Sequence, residues 1–345
     1  MHYRTLLISF ITLLSQNTFA QQGAHDSLPT KEEPSLVKWL TLDEAMTKNT
    51  TVPKPILIDF YTEWCGWCKV MMKNTYSNPG IAQYINTNFY PVKFDAETKD
   101  TILYDGEKFA PTGKEKRDPN SFAVKMLSGK MMYPSTLFIN KPVNFSMVAQ
   151  GYLEPEKIEP MLIFTLENAF RNSNYDDFKA AFDNAFFDST ALARSEKVKW
   201  TKPAKAFAKD VKTKKKSLVY IHTDWCNTCR VMYRTSFSDS LSAKYLEEKY
   251  NLVDFNPENL DTLYLNGQAY SNQHTQTAPF HQLLNVLNRN AFALPQLIVL
   301  DEEYKTLDAI SFYLNPALLN NIARYYGDNV YKEKSWADYM KKEKK

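Results

Sequence analysis

Residues 55–69 read PILIDFYTEWCGWCK, a short apolar run that leads straight into a Cys-x-x-Cys motif. An apolar stretch of this length predicts a buried strand over 55–61, with Asp59 as a lone carboxylate inside it. From Lys69 to Thr75 the spacing turns helical, so Cys65 falls at a strand-to-helix junction with its sulfur expected to be exposed. Unpaired amides and the positive end of the helix dipole stabilise a thiolate at such a place. Cys68 stands one turn into the helix, within reach of Cys65. The spacing therefore gives the sulfurs unequal roles. Cys65 attacks a substrate disulfide, and Cys68 resolves the mixed disulfide that forms.

The motif returns at an offset of 161 residues, from Cys65 to Cys226. The same shift sets Trp39 on Trp200, Trp64 on Trp225, Cys68 on Cys229 and Val70-Met71 on Val231-Met232. It still holds for Gly106 and Gly267, for Pro134 and Pro295, and for Tyr152-Leu153 and Tyr313-Leu314. One register without net insertion marks the duplication of a whole domain. The repeats run from 35 to 185 and from 196 to 345, meeting near Asp188 to Ser195.

Within one unit, Thr41-Leu42-Asp43-Glu44 fits a helix-starting capping box. Further strands are predicted over 89–94, over 135–139 directly after Pro134, and over 148–150, before a helix from about Glu154 to Phe170. Asp105-Gly106 and Asn266-Gly267, each between apolar residues, predict a β-hairpin in each repeat. Strand–helix–strand followed by two adjacent strands and a helix indicates an α/β/α sandwich in each repeat.

With ILIDF at 56–60, WCGWCK at 64–69 and YPST at 133–136, the chain resembles thioredoxin. It is most similar to exported thiol:disulfide interchange proteins related to the C-terminal domain of DsbD. The resemblance covers nearly all of the chain after the first twenty residues, twice, and implies two tandem thioredoxin-like domains. It implies that Asp59 lies beneath the second cysteine and moves its proton, as burial would raise its pKa towards neutrality. It also implies a cis bond before Pro134, with Tyr133 offering backbone groups to an extended substrate. Trp64 and Trp67 then border the substrate site, and Met71 and Met72 belong either to that rim or to the core.

The second repeat keeps Trp225, Cys226, Cys229 and Pro295 but departs elsewhere. Tyr220 stands in the place of Asp59, Leu294 in that of Tyr133, and Phe312 in that of Gly151. His222 and Asp224 lie near Cys226 in sequence as alternative proton carriers or as plain surface residues.

A length of 345 residues suits two domains, and a net charge of only +3 argues against nucleic acid as the main partner, since phosphate tracking needs clustered basic side chains. The basic runs at 212–216 and 341–345 read as solvated surface. His2 and Arg4, the apolar stretch Leu6–Leu14 and Ala20 read as an export signal over residues 1–20, cleaved near Ala20, and no later run is long enough to span a bilayer. The chain is thus expected to be secreted, in the periplasm, and to need no cofactor beyond its redox-active disulfides. Its partners would be disulfide-containing clients and a thiol donor or acceptor. Two other readings compete: a second domain that is a binding or scaffold module with little turnover, and a zinc site built from the four cysteines.

Overall fold

The computed structural model describes residues 35–188, 198–275 and 278–343. The export segment at 1–20 lies outside the described residues, as does the junction between repeats beyond Asp188.

The strands of the first repeat are β1 (Ile56–Tyr61), β2 (Tyr90–Asp95), β3 (Ile102–Tyr104), β4 (Glu107–Phe109), β5 (Ser135–Asn140) and β6 (Phe145–Gln150). Its main sheet has the order β2-β1-β5-β6, with β1 and β2 parallel and the other pairs antiparallel. β1 is therefore central and covered on both faces, which is why it reads as an unbroken apolar run. Ile56, Ile58 and Phe60 pack on one side with Val92, Phe122 and Leu137. Leu57 points to the other side, with Met71, Tyr76, Phe138 and Leu162.

The second repeat contains β7 (Lys216–Ile221), β8 (Tyr250–Phe255), β9 (Leu263–Leu265), β10 (Gln268–Tyr270), β11 (Gln296–Leu300) and β12 (Thr306–Ser311). Its main sheet, β12-β11-β7-β8, repeats the first. The hairpins, β6 and β12, and the helices Pro155–Leu166 and Pro316–Gly327 coincide residue for residue at the offset of 161. The fold is two tandem thioredoxin-like α/β units related by internal duplication.

Both hairpins form, β3 with β4 and β9 with β10. Their turns are left-handed at both central positions: φ is 52° and 79° at Asp105 and Gly106, and 51° and 81° at Asn266 and Gly267. The capping box is also present, with the Thr41 amide donating to Glu44 Oε2 at 2.8 Å and the Glu44 amide to Thr41 Oγ1 at 3.2 Å.

Two expectations shift. The helix after β6 ends at Leu166, not Phe170, because Asn168 takes a left-handed conformation (φ 56°) and a short 3-10 turn follows. A further helix, Tyr175–Phe187, then buries Phe178, Phe182 and Ala185. Lys216 is no solvated residue: it is buried at the start of β7, where Nζ reaches Glu302 Oε1 at 3.1 Å and Asn329 Oδ1 at 2.9 Å.

One core cluster is shared between the repeats. Ile163, Phe164, Phe178 and Phe182 of the first cluster with Leu218, Tyr220, Cys226, Cys229 and Val231 of the second. The helix Tyr175–Phe187 lies against the helix Asn227–Arg234, which begins at the second Cys-x-x-Cys.

The hairpin turn is the simplest place to test the backbone. An added Cβ at Gly106 meets no atom within 4 Å, so only the positive φ opposes a side chain there. Gly106→Ala should lower stability in urea unfolding by about 1–2 kcal/mol. An unchanged midpoint would contradict the left-handed turn.

Candidate active sites

Each Cys-x-x-Cys sits where a central strand gives way to a helix. Cys65 is the N-cap of the helix Gly66–Asn74, and Cys226 is the N-cap of Asn227–Arg234. Both pairs are closed as disulfides, Cys65–Cys68 and Cys226–Cys229, with Cα–Cα distances of 5.3 and 5.2 Å. In each the first sulfur accepts the amide of the second cysteine at 3.1 Å, so it satisfies one of the helix's unpaired donors. That inward turn accounts for a departure from expectation: Cys65 is only 4% exposed, and Cys226 only 2%. The four cysteines do not converge on one another, since each pair closes on itself.

At the first site the exposed groups are the tryptophans. Trp64 and Trp67 stand out on either side of Cys65, while Met71 is fully buried and Met72 packs against the same core. Trp64 Nε1 donates to Glu97 Oε1 at 2.9 Å, and its ring meets Tyr133 edge-on at 6.1 Å. That contact brings the turn at Pro134 beside the motif. The Tyr133–Pro134 bond is cis. Burial pushes the Tyr133 phenol up to about 12. Trp67 stacks on Tyr152 at 5.6 Å.

Asp59 is buried in β1, opposite Lys93 on β2 and Thr136 on β5. Its surroundings are polar in one direction only: the Tyr76 hydroxyl lies 3.2 Å from Asp59 Oδ1 and 3.3 Å from Thr136 Oγ1. Burial drives the Asp59 carboxyl up from 3.8 to about 7, against the opposing pull of Tyr76 and Lys93. A carboxyl raised that far changes its protonation state near neutral pH. It can both take and return a proton.

The second site keeps the frame and changes the chemistry. Trp225 Nε1 donates to Glu258 Oε1 at 3.1 Å, matching Trp64 and Glu97. Leu294 packs against the cluster holding Cys226 and Cys229, and the Leu294–Pro295 bond is cis. The buried trio Asp59, Tyr76 and Thr136 becomes Tyr220, Phe237 and Leu297, all buried. The Tyr220 hydroxyl donates to the Cys229 carbonyl at 2.8 Å, and burial lifts its pKa well above 10. It is a donor, not a base. His222 stacks on Tyr220 at 5.3 Å and pairs closely with Asp254, whereas Asp224 is exposed. Phe312 holds the backbone place of Gly151: their amides donate to the carbonyls of Pro295 and Pro134 at 2.7 and 2.8 Å. Phe312 keeps a φ of 73°, a conformation that a bulky side chain rarely adopts.

One residue was not legible as functional. Glu167, at the end of the first repeat's helix Pro155–Leu166, reaches the second site. Its carboxylate accepts from the amides of Asn227 (3.2 Å) and Thr228 (2.7 Å) and from Thr228 Oγ1 (2.6 Å).

A disulfide at a helix N-terminus beside an X-Pro turn on this sheet is the machinery of a thiol–disulfide oxidoreductase. Residues 22–106 match the family model described as Thioredox_DsbH, a protein of unknown function, DUF255. The fold is also similar to solved structures, all at low identity. A thioredoxin-fold protein from Helicobacter pylori shares 15% identity over 45% of this chain and 92% of its own, with a TM-score of 0.34. The reduced C-terminal domain of DsbD from Neisseria meningitidis shares 18% over 36% of this chain and 93% of its own (TM-score 0.25). A thioredoxin from Thermus thermophilus shares 14% over 36% of this chain and 84% of its own (TM-score 0.28). No curated protein matches the chain.

The buried carboxyl has a measurable consequence. Folding favours neutral Asp59, so its contribution to stability is full below 3.8 and is lost as pH rises through about 7. A gap of that size corresponds to about 4 kcal/mol. Asp59→Asn should therefore exceed the wild type in stability at about pH 8, by up to that amount, and lose the advantage on acidification to about pH 4. Urea unfolding of the oxidised protein across this range checks it. A constant difference would show that Asp59 does not titrate in the folded chain.

Proposed function

We propose that this chain is an exported thiol–disulfide oxidoreductase whose two domains, 35–185 and 196–345, share the work unequally. The observation that carries this reading is the first site: a disulfide at a helix N-terminus, exposed Trp64 and Trp67 around it, and buried Asp59 in the strand before it. In the reduced state the Cys65 thiolate attacks a client disulfide, forming a mixed disulfide and expelling one client thiolate. Cys68 passes its proton to Asp59 and attacks the Cys65 sulfur. This closes Cys65–Cys68 and releases the second client thiolate, so the two electrons lost by the dithiol reduce the client. A thiol donor returns the pair to its reduced state.

Trp64, Trp67, Tyr133 and Pro134 form the face on which a client strand would lie. The equivalent face of the second site is Trp225, Leu294 and Pro295, without a buried base. The same replacements support the alternative, in which the second domain binds or positions partners with little turnover. Export is supported by the sequence of residues 1–20, and among the described residues no helix is long and apolar enough to cross a membrane.

Cys68→Ala should accumulate mixed disulfides with client proteins, because release needs the second sulfur. On a generic disulfide substrate, Cys65→Ser should remove most activity and Cys226→Ser should leave most of it. Asp59→Asn should slow resolution by roughly 10²-fold and abolish its rise through neutral pH. Trapping by Cys65→Ala instead, or equal losses from the two serine variants, would overturn these roles.

A further inference from the structure

The helix Asn227–Arg234 presents its first amides to a carboxylate that its own repeat does not supply. Glu167 accepts three hydrogen bonds there, and its Oε2 lies 3.9 Å from Cys226 Sγ. The contact belongs to a longer strap. Four residues on, the Arg171 guanidinium lies 5.1 Å above the Phe312 ring, and Asn172 Nδ2 donates to the Ser311 carbonyl at 2.9 Å. The segment Glu167–Asn172 thus crosses from the second disulfide to the turn facing it, over the surface that at the first site is left to Trp67 and Gly151.

We propose that Glu167 is a positioning residue of the second site: from the first repeat it occupies the helix N-terminus and opposes formation of the Cys226 thiolate. The amides that would stabilise a thiolate already hold a negative charge, and a second charge beside it is repelled. Cys226 therefore stays protonated and attacks slowly while the repeats are packed together. At the first site, among the described residues, no carboxylate accepts from the amides of Gly66 or Trp67. Asp328, the counterpart of Glu167, pairs with Lys249 at 3.3 Å.

Other charged and titratable groups surround this helix end. Tyr84 and Glu159 of the first repeat lie on the Glu167 side, both with pKa values raised by burial. Arg230, one turn along the helix, is exposed and donates to Asn227 Oδ1 at 2.6 Å. Beneath the helix are Tyr220 and the His222–Asp254 pair, and Asp224 is exposed on the preceding loop. Burial also raises the carboxyl of Glu167 itself, which its hydrogen bonds to Thr228 and Asn227 oppose. The thiol and the carboxyl consequently compete for one proton.

The inference rests on Cys226 being the attacking thiol of the second site. It is tested on the reduced full-length chain carrying Cys65→Ser and Cys68→Ser, with iodoacetamide alkylation followed from about pH 4 to pH 10 and mapped by peptide mass spectrometry. Glu167→Gln keeps an acceptor for the amides but removes the charge. It should lower the midpoint of Cys226 alkylation by about one pH unit, a tenfold gain in thiolate below both midpoints. An unchanged midpoint overturns the inference, and a raised one would make Glu167 the proton acceptor of Cys226 instead. If the variant fails to fold, the wild-type chain decides: Cys226 must titrate above Cys65, and a value at or below it overturns the inference. Alkylation of Cys229 ahead of Cys226 refutes the assignment of the attacking thiol, and the inference falls with it.

Discussion

The first amides of an α-helix have no partners inside the helix, and this chain places that need beside a disulfide twice. At the first site the Cys65 sulfur meets part of it, by accepting the amide of Cys68. At the second the Cys226 sulfur does the same and Glu167 takes the two amides before it. The same few unpaired donors can hold a thiolate ready for attack or hold a carboxylate in its place.

A second contrast lies one layer deeper. Strand β1 is buried on both faces, so a carboxylate within it is costly unless it carries a proton or finds donors. Asp59 has one phenol and the distant charge of Lys93, and its carboxyl settles near neutrality. In the second repeat all three members of that polar cluster are replaced together. Tyr220 turns its hydroxyl to a backbone carbonyl, and Phe237 and Leu297 fill the remaining space. Changing Asp59 alone would have left the Tyr76 hydroxyl without the carboxylate it meets in the core, so the replacements are physically coupled. The second unit keeps its fold and gives up its buried carboxyl.

Much of this was legible in the sequence because it is written in local signals. The offset of 161 residues located every strand of the second unit, and Asp-Gly and Asn-Gly marked two hairpins through their need for positive φ. Asp59 stood out as a charge inside an apolar run. The misreadings of Lys216 and Glu167 share one physical origin, which is packing between segments distant in sequence. Lys216 belongs to a lysine run yet is buried, because Glu302 and Asn329 receive it from far along the chain. Cys65 is turned inward by its own helix, against the exposure expected of an attacking sulfur. Glu167 sits at an ordinary helix end, where the only local mark is the left-handed Asn168 that stops the helix. Its partners lie about sixty residues away in the other repeat, and no pattern within either repeat points to them.

One fold thus carries two disulfides in unequal settings, the second with Glu167 of the neighbouring repeat at its helix N-terminus. The most direct measurement is the rate at which each disulfide of the intact oxidised chain is reduced by a small protein dithiol. Quenched alkylation with isotopic tags reads the two pairs separately in the same sample. Reduction of Cys65–Cys68 should run ahead of Cys226–Cys229 by roughly 10²-fold, the lower end of what a positioned base supplies. Equal rates, or faster reduction of Cys226–Cys229, would contradict the account.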